Sequence, residues 1–312
     1  MNSNESWQYA AGIVTFNPEL ERLMENLRSV SPQVQGVWVF DNGSSNVAQV
    51  RGVVNEIENA HLVESVDNLG IAAALNRLAT IAMERGYSWM VTLDQDSVCA
   101  PDMVLTLRKY ADEKTPVVTP YIVDRNKVSV DGYRELELPP VQYFRHAASK
   151  GAITSGALTY LPILDEVGCF DELFFIDCVD YDLNMRIMRA GYRIARVNGT
   201  YLLHELGKAD RTWLWTPRRA LDGQWCWEPF YSFGHSPIRC YYKARNRVLY
   251  SKRHWRSIGF ANEGVVQIPQ QILLTLLFEE RRLVKLRAFL RGIVDGIRTP
   301  LPPLPARLSD VA

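Results

Sequence analysis

Residues 71–97 read IAAALNRLATIAMERGYSWMVTLDQDS, one apolar helix pattern followed by one strand pattern. Four apolar residues recur at helical spacing ahead of a glycine stop and predict a helix over residues 71–85: Ile71, Leu75, Leu78 and Ala82. The apolar, β-rich run over residues 87–93 predicts a strand, and the polar residues DQDS follow it at once. A helix joined to a strand that ends in carboxylates is typical of an α/β protein.

The same alternation of strand and helix precedes this stretch. We expect strands over residues 11–15, 37–40 and 61–66, each followed by a polar turn. One helix begins near residue 20, between the first two strands, and a second helix ends near residue 59, before the third strand. Strands that alternate with helices of about ten to fifteen residues indicate right-handed crossovers and a mainly parallel, Rossmann-like sheet with helices on both faces. The polar turns then converge on one crevice beyond the carboxyl ends of the strands.

The pattern loosens after Val117 and the composition changes near residue 210. A helix is expected over Asp180–Ala190 and a strand over Arg193–Val197. Beyond residue 210 the chain becomes rich in tryptophan, arginine and proline. We therefore expect a catalytic domain over residues 1–210 and a helical, aromatic and basic C-terminal appendage over residues 211–312.

The composition excludes several classes of partner. Lysines and arginines number 35 and so do aspartates and glutamates, so no net positive field attracts nucleic acid. The five cysteines include no C-x-x-C pair, which argues against a disulfide framework or a structural zinc site. The polar start, Met1–Gln8, does not resemble a secretory signal, and the longest apolar stretch, Val265–Phe278, is too short and too interrupted to span a bilayer. We expect a cytoplasmic protein.

Asp94 and Asp96 flank Gln95 at the end of the fourth predicted strand. Two carboxylates that emerge together into the crevice are hard oxygen ligands, which suit Mg2+ or Mn2+ completed by phosphate oxygens. The alternative is a polar turn without a metal, because Asp-x-Asp is frequent by chance.

Six short motifs follow one another along the chain: AGIVTFN at 11–17, VFDNGSSN at 39–46, NLGIAAALN at 68–76, LDQDS at 93–97, FDELFFIDCVDYDLNMR at 170–186 and HELG at 204–207. Together they resemble family 2 glycosyltransferases of the GT-A fold, over roughly the first two thirds of the chain. The resemblance implies an inverting enzyme. It would move a sugar from a nucleotide-diphosphate donor to a saccharide or lipid-linked saccharide in cell-surface polysaccharide synthesis, with Mg2+ or Mn2+ as cofactor.

Carried over position by position, the resemblance assigns a donor-binding set: Thr15, Phe16, Asn17, Asp41, Asn68, Gly70, Asn76 and Asp94. Asp41 is the strongest of these, because it stands at the carboxyl end of a strand where nucleotides bind. Structural alternatives remain: Thr15 ends a strand, Asp41 could form an Asx turn, and Asn76 could be an exposed helix position.

The resemblance also assigns the reaction chemistry. Asp180 aligns with the general base of the family, although Val179 replaces a glutamate; its alternative role is an acid that interacts with the helix dipole. His204 aligns with a further metal or diphosphate contact, and with Asp94 and Asp96 it completes the expected metal set; ordinary packing is its alternative.

Residues 236–247, which read SPIRCYYKARNR, resemble the rhamnosyltransferase branch of the family and suggest dTDP-rhamnose as donor. Arginines there could bind a diphosphate or belong to a helix face packed on the catalytic domain. Four tryptophans near residues 213–227 could stack on sugars, meet a membrane or form a small core. The basic amphipathic segment Glu279–Arg298 predicts peripheral contact with the inner face of the plasma membrane, near a polyprenyl-linked acceptor; docking on the protein itself or on a second copy in a homo-oligomer is the alternative.

Two other function classes stay open from the sequence. A nucleotidyltransferase would share the fold, but the glycine-rich loop with a lysine that it requires is absent where Asn17 and Pro18 stand. A non-catalytic sugar-binding module of the same fold would not need Asp94, Asp96 and Asp180.

Overall fold

The computed structural model describes residues 7–125, 130–144, 152–205, 210–219, 225–258 and 264–305. Its first third alternates strands and helices in the predicted order. These elements are β1 (Tyr9–Thr15), α1 (Leu20–Val30), a short 3₁₀ helix (Ser31–Gln33), β2 (Gly36–Asn42), α2 (Val47–Asn55), β3 (Ala60–Ser65), α3 (Ile71–Glu84) and β4 (Trp89–Asp94).

The remainder is more irregular. It contains β5 (Val98–Cys99), α4 (Met103–Arg108), β6 (Val117–Asp124), α5 (Val130–Arg134), β7 (Val141–Phe144), β8 (Leu158–Tyr160), α6 (Leu161–Val167), a 3₁₀ helix (Glu172–Phe174), α7 (Val179–Arg189) and β9 (Ile194–His204). The C-terminal region adds β10 (Asp210–Arg219), β11 (Trp225–Ser232), α8 (Pro237–Ile258), α9 (Gln267–Phe278) and α10 (Arg282–Arg298).

The central sheet has the strand order β3-β2-β1-β4-β8-β6-β9-β5, and β7 also pairs with β9. The four strands β3, β2, β1 and β4 are parallel, as the alternating pattern predicts. Beyond β4 the sheet is mixed, because β8 runs antiparallel to both β4 and β6 while β6 and β9 are parallel. The polar turns after β1, β2 and β4 therefore do meet at one edge.

Helices cover both faces of this sheet. Along β1 the residues alternate between two hydrophobic clusters, because successive side chains of a strand point to opposite faces: Ala10 and Val14 join one, Ala11 and Ile13 the other. The first cluster is covered by α3, α6 and α7 and also by Leu249 and Tyr250 of α8. The second is covered by α1, α2 and α4. The α/β fold with helices on both faces is confirmed.

The largest differences from the predicted boundaries are the ends of α2 and β9. Helix α2 ends at Asn55 rather than near residue 59, because the Asn59 side chain donates hydrogen bonds to the carbonyl oxygens of Ser31 and Val34 and so belongs to the turn before β3. Strand β9 continues past Val197 to His204, since it pairs with β6 along that length after a register shift. His204 is thus the last residue of a strand, and Leu206 and Gly207 of its motif lie outside the described residues.

The C-terminal region contains three helices, in agreement with the predicted helical appendage, and also a hairpin, β10–β11, that the sequence pattern did not predict. Helices α8 and α10 pack closely at Gly292 and Gly296, where an added Cβ would meet the carbonyl oxygens of Tyr241 and Arg245 on α8. The packed face of α10 carries Lys285 and Phe289. The division of the chain at residue 210 stays a prediction.

No helix in the described ranges is long and apolar enough to cross a membrane.

Candidate active site

The turns after β1 and β2 are tied together at the sheet edge. Thr15 and Asp41 are both fully buried, and the Thr15 hydroxyl donates a hydrogen bond of 3.1 Å to Asp41 Oδ1. The second carboxylate oxygen of Asp41 accepts the Ser44 amide at 2.9 Å. This is the turn geometry named above as the alternative for Asp41, so the carboxylate shapes the loop, and its contact with a donor nucleotide stays a prediction.

Phe16 and Asn17 follow β1 and bind two different loops, the one after β4 and the one after β2. The Phe16 amide donates 2.8 Å to Gln95 Oε1, and the Phe16 ring is 47% exposed, so an aromatic face lies open beside the Asp94–Asp96 turn. Asn17, with a left-handed φ of 47°, accepts both the amide and the hydroxyl of Ser45 at 2.8 Å. The loops after β1, β2 and β4 are therefore one connected rim.

Asn68 and Gly70 build the turn before α3. Asn68 Oδ1 accepts from Asn42 Nδ2 at 3.1 Å and from the Gly70 amide at 2.9 Å. Gly70 has a φ of 86°, and an added Cβ would lie 2.5 Å from the Phe175 ring. The turn therefore needs glycine both for its backbone and to let the segment around residue 175 come close.

Asn76 is not brought to this rim. Its side chain donates to the Phe170 carbonyl at 2.9 Å and to Glu172 at 3.0 Å, and it accepts the Phe170 amide at 2.9 Å. It lines a separate cavity of about 510 Å3. In this structure Asn76 packs against Phe170 and Glu172, and its contact with the donor stays a prediction.

Asp94, Asp96 and His204 converge although they come from distant parts of the chain. His204 Nε2 lies 3.8 Å from Asp94 Oδ2, and His204 Nδ1 lies 3.9 Å from Asp96 Oδ1. Ser97 Oγ is 3.1 Å from His204 Nδ1 and 2.7 Å from Ser155 Oγ, whose hydroxyl also accepts the Asp94 amide. Extension of β9 to residue 204 is what places the imidazole here.

The side chains of this group suit a divalent cation without enclosing one. Among the residues described, no three His, Cys, Asp or Glu side chains are arranged as a complete metal site. Asp96 Oδ1 is buried and has no hydrogen-bond partner among the residues that the structure describes, and an orphaned carboxylate oxygen is what a missing ligand would leave. Mg2+ is usually held by one or two carboxylates together with substrate phosphates, which matches two aspartates at the rim of a cleft.

The pKa values of the Asp94 and Asp96 carboxyl groups reflect their loss of hydration. Desolvation raises the pKa of Asp94 above its ordinary value, opposed by His204 and Arg239. Desolvation also raises the pKa of Asp96, and the neighbouring Asp94 carboxylate adds to the rise. Two carboxylates that lose hydration together are costly in the charged form, so a cation between them would relieve both.

Asp180 lies in the first turn of α7 and faces a cleft of about 630 Å3 that Asp94 and His204 also line. Burial raises its pKa from 3.8 to about 7, with Asp177 and Asp94 contributing. A carboxyl that titrates near neutrality can take a proton at physiological pH. The cleft thus brings the predicted base and the predicted metal group together.

The segment before Asp180 is unusual in its backbone. Phe175, Asp177 and Cys178 have left-handed φ values of 55°, 64° and 65°. Non-glycine residues in this region are strained and persist only when other contacts hold them. Asn246 of α8, fully buried, supplies such contacts: its Nδ2 lies 2.5, 2.5 and 3.0 Å from the carbonyl oxygens of Phe174, Ile176 and Asp177.

A basic face of α8 lines the same cleft, as one of the two alternatives for the arginines of residues 236–247 would require, and it also includes Lys243. Arg239, Lys243 and Arg247 all line it, and Arg239 lies 3.5 Å from Asp177. Burial lowers the pKa of Lys243, and the nearby Arg239 and Arg247 lower it further against the opposing Asp177. The signal was present in the spacing, since these residues stand at i, i+4 and i+8 on one helix face.

Comparison with known proteins shows similarity to glycosyltransferases. Residues 11–162 match the model of glycosyl transferase family 2. The chain is 26% identical over 307 residues to the dTDP-rhamnosyl transferase RfbF of Shigella flexneri, covering 96% of this chain and 97% of that protein.

Solved structures with the same architecture include GalNAc-T7 with UDP, GalNAc and Mn2+, at a TM-score of 0.56 and 13% identity. This match covers 96% of the chain but only 59% of the GalNAc-T7 chain. S. aureus TarS 1–349 matches with a TM-score of 0.54 and 13% identity over 97% of this chain and 83% of that one. At these identities the similarity shows the fold alone, which is the GT-A fold.

Proposed function

The chain is a glycosyltransferase with a family 2 domain over residues 11–162, and from this premise we propose that it inverts configuration as it transfers L-rhamnose from dTDP-rhamnose. The observation that carries the proposal is the single cleft that joins Asp180 to Asp94 and His204. A base on one wall and diphosphate-binding groups on another are the parts that a direct displacement needs.

The donor would bind along the rim after β1, β2 and β4. The open Phe16 ring offers an apolar face to the nucleobase, and Asp41 and Asn17 hold the loops in place around it. Asp94 and Asp96 would hold Mg2+ or Mn2+, with His204 beside them. A divalent cation there supplies charge neutralisation for the leaving diphosphate. The Mn2+ in the GalNAc-T7 structure supports this assignment.

Asp180 would act on the acceptor. Its carboxylate takes the proton of the acceptor hydroxyl while that oxygen attacks the anomeric carbon from the side opposite the diphosphate, so configuration inverts. The proton then resides on Asp180, whose pKa of about 7 allows its return to solvent. Arg239 and Lys243, which line the same cleft, favour a diphosphate group of the donor or a phosphate-bearing acceptor.

The acceptor proposed is a saccharide, in particular a polyprenyl-linked one used in cell-surface polysaccharide synthesis. This places the enzyme on the inner face of the plasma membrane through peripheral contact of its C-terminal region. The exposed stripe of α10 supports such contact: Leu283, Leu290, Val294 and Ile297 stay exposed while the opposite stripe packs on α8.

The nucleotidyltransferase alternative is set aside, because the matched family and the curated relative are both glycosyltransferases. A non-catalytic sugar-binding module differs from the proposed enzyme in that it would bind a donor without turnover. Purified protein should be screened against dTDP-rhamnose and UDP-linked sugars, with Mn2+, Mg2+ or EDTA, by thermal shift and by donor hydrolysis.

We expect dTDP-rhamnose with Mn2+ or Mg2+ to raise the melting temperature and to be hydrolysed. A ligand at about 100 times its Kd stabilises by about 2.7 kcal/mol, which a thermal shift resolves. Asp180→Asn is the matched control, and it should keep the shift but lose hydrolysis. Hydrolysis of another donor in preference would reject rhamnose, and binding without turnover by the unmodified chain would reject the enzyme.

A further inference from the structure

The hairpin β10–β11 presents tryptophans on one side. Trp215 pairs with Pro229 and Trp227 pairs with Pro217, and residues that are directly paired or two apart on a strand share a face. Trp225, two residues before Trp227, is on that face as well. These three tryptophans and two prolines form what we call the tryptophan face.

The tryptophan face is open to solvent. Trp215, Trp225 and Trp227 are 49%, 72% and 67% exposed, and Trp213 near the base of the hairpin is 74% exposed. Tryptophan buries a large apolar area in most proteins, so an exposed cluster of this kind marks an interaction surface. The polar residues Thr216 and Glu228 pair with each other and therefore point to the opposite side of the hairpin.

The apolar surface continues from the hairpin onto the helices. The Trp213 ring contacts Phe278 at the end of α9, with centroids 5.3 Å apart. Leu277 of α9 is 46% exposed, and Leu283 at the start of α10 is 70% exposed. Phe278 and Leu283 line one shallow groove that joins the two helices.

Positive charge lies beside this surface, because Arg281 and Arg282 line the groove with Leu283 and Arg211 lies over the Trp215 ring at 5.5 Å. Five arginines of or beside α10 are exposed: Arg281, Arg282, Arg287, Arg291 and Arg298. Glu280 is exposed in the same groove and Asp295 lies 3.6 Å from Arg291, which offsets part of this charge, whereas Glu279 is bound to Lys285 at 2.7 Å. An apolar, aromatic face edged by arginines is complementary to an anionic lipid surface.

We propose that the tryptophan face is the surface through which this protein docks onto an anionic lipid bilayer. The proposal rests on the membrane contact in the proposed function and moves its centre from α10 to the hairpin. Indole rings suit the bilayer interface, where the apolar ring meets acyl chains and the N–H meets headgroups.

Two other occupants fit the surface less well. A saccharide is held by several hydrogen-bonding side chains around an aromatic ring, and the donors observed at the tryptophan face are the indole N–H groups and Arg211, whose guanidinium lies over the Trp215 ring. In a dimer with a two-fold axis, the tryptophan face of one copy would pack against the same face of the other copy. The exposed arginines of α10 would then face the same arginines of the second copy, and like charges repel.

The test uses the full chain and vesicles of phosphatidylglycerol and phosphatidylcholine in equal amounts, with pure phosphatidylcholine as the neutral comparison. Co-sedimentation measures the bound fraction, and tryptophan emission reports transfer of indole from water to lipid. The variant is Trp225→Ser with Trp227→Ser. Trp255→Ser, an exposed tryptophan on α8, is the matched control.

We expect the double variant to lower the vesicle partition coefficient about tenfold or more and to lose the blue shift of emission, because two indoles no longer leave water. The control should bind like the unmodified chain. Equal binding by the double variant overturns the tryptophan face while leaving contact through α10 intact. Absence of binding by the unmodified chain overturns both the face and the proposed membrane contact.

Two further readouts separate this inference from the enzymatic proposal. Donor hydrolysis in solution, measured without vesicles, should be unchanged in the double variant, because the tryptophan face is not part of the cleft. Size-exclusion chromatography tests self-association: a change from dimer to monomer in the double variant would assign the face to a second copy and overturn the lipid proposal.

Discussion

Replacing Asp180 by asparagine should stabilise the folded protein at alkaline pH, whereas the same change at Asp182 should destabilise it. The two carboxylates are two residues apart on α7 but have opposite environments. Burial raises the pKa of Asp180 to about 7. Asp182 is fully buried, yet against that burial Arg186, His254 and Arg253 hold its pKa well below the usual range.

The sign and the pH window follow from linkage. The folded-state pKa of Asp180 exceeds its unfolded value of 3.8, so ionisation opposes folding: the penalty is absent below pH 3.8, grows up to about pH 7, and is complete above it. A rise of about three units corresponds to at most about 4 kcal/mol. Because the side chain keeps partial contact with water, we expect Asp180→Asn to gain about 1–2 kcal/mol at pH 8 and nothing near pH 4.

Asp182→Asn should show the reverse. Asp182 accepts from Arg186 Nε and Arg253 Nη1 at 2.8 and 2.9 Å, and its stabilisation is present above pH 3.8 and lost as pH falls toward its lowered folded-state pKa. Removing one partner of a buried charge network costs about 3–5 kcal/mol, since the buried Arg186 guanidinium loses its ion pair with Asp182, while Arg253 keeps its ion pair with Asp171. We expect that loss at pH 8.

The assay is urea unfolding of the unmodified chain and both variants at pH 8 and near pH 4, followed by tryptophan emission, with donor hydrolysis measured in parallel. Asp180→Asn should unfold at higher urea at pH 8 and lose about 10²- to 10⁴-fold in turnover. An unchanged midpoint together with unchanged turnover would falsify the assignment of Asp180 as a buried base and leave it as a helix-dipole residue. Stabilisation by Asp182→Asn would refute the counter-ion role.

Other predictions concern the metal group, the loop contact and the helix packing. Asp96→Ala should abolish transfer and metal-dependent donor binding with a circular dichroism melt close to the unmodified one; full activity of the variant, or of the unmodified chain in EDTA, would contradict the metal role. Asn246→Ala should cost about 2–3 kcal/mol in urea unfolding and lower turnover, because buried carbonyl groups lose their donor; unchanged turnover would show that the strained segment holds itself. Gly292→Ala should destabilise the fold by about 1–3 kcal/mol, because its Cβ would meet the Tyr241 carbonyl. The control is Gly52→Ala on α2, which has open space around it and should be neutral or stabilising. Equal effects of the two changes on the free energy of unfolding would rule out close packing of α10 on α8.

The sequence by itself determined the parallel half of the sheet and the position of its site. Strand β4, helix α3 and the polar end at Asp94 could be predicted because periodicity is a local property, and because parallel strands place their carboxyl ends at one edge. The resemblance in motifs then pointed to glycosyltransferases and suggested Asp180 as the base. All of these inferences need only residues close together in the chain, or a general rule about sheets.

The tertiary structure alone decided which distant residues meet. His204 reaches Ser97, 107 residues away, only because β9 extends along β6. Asn246 reaches the segment around Ile176 across 70 residues, and the basic stripe of α8 lines the cleft rather than solvent. The side chain of Asn76, which the motif assigned to the donor, donates a hydrogen bond to the Phe170 carbonyl in this structure. Periodicity tells which face a residue occupies but not what packs against that face, because the partner is set by the summed burial and hydrogen bonding of the whole chain.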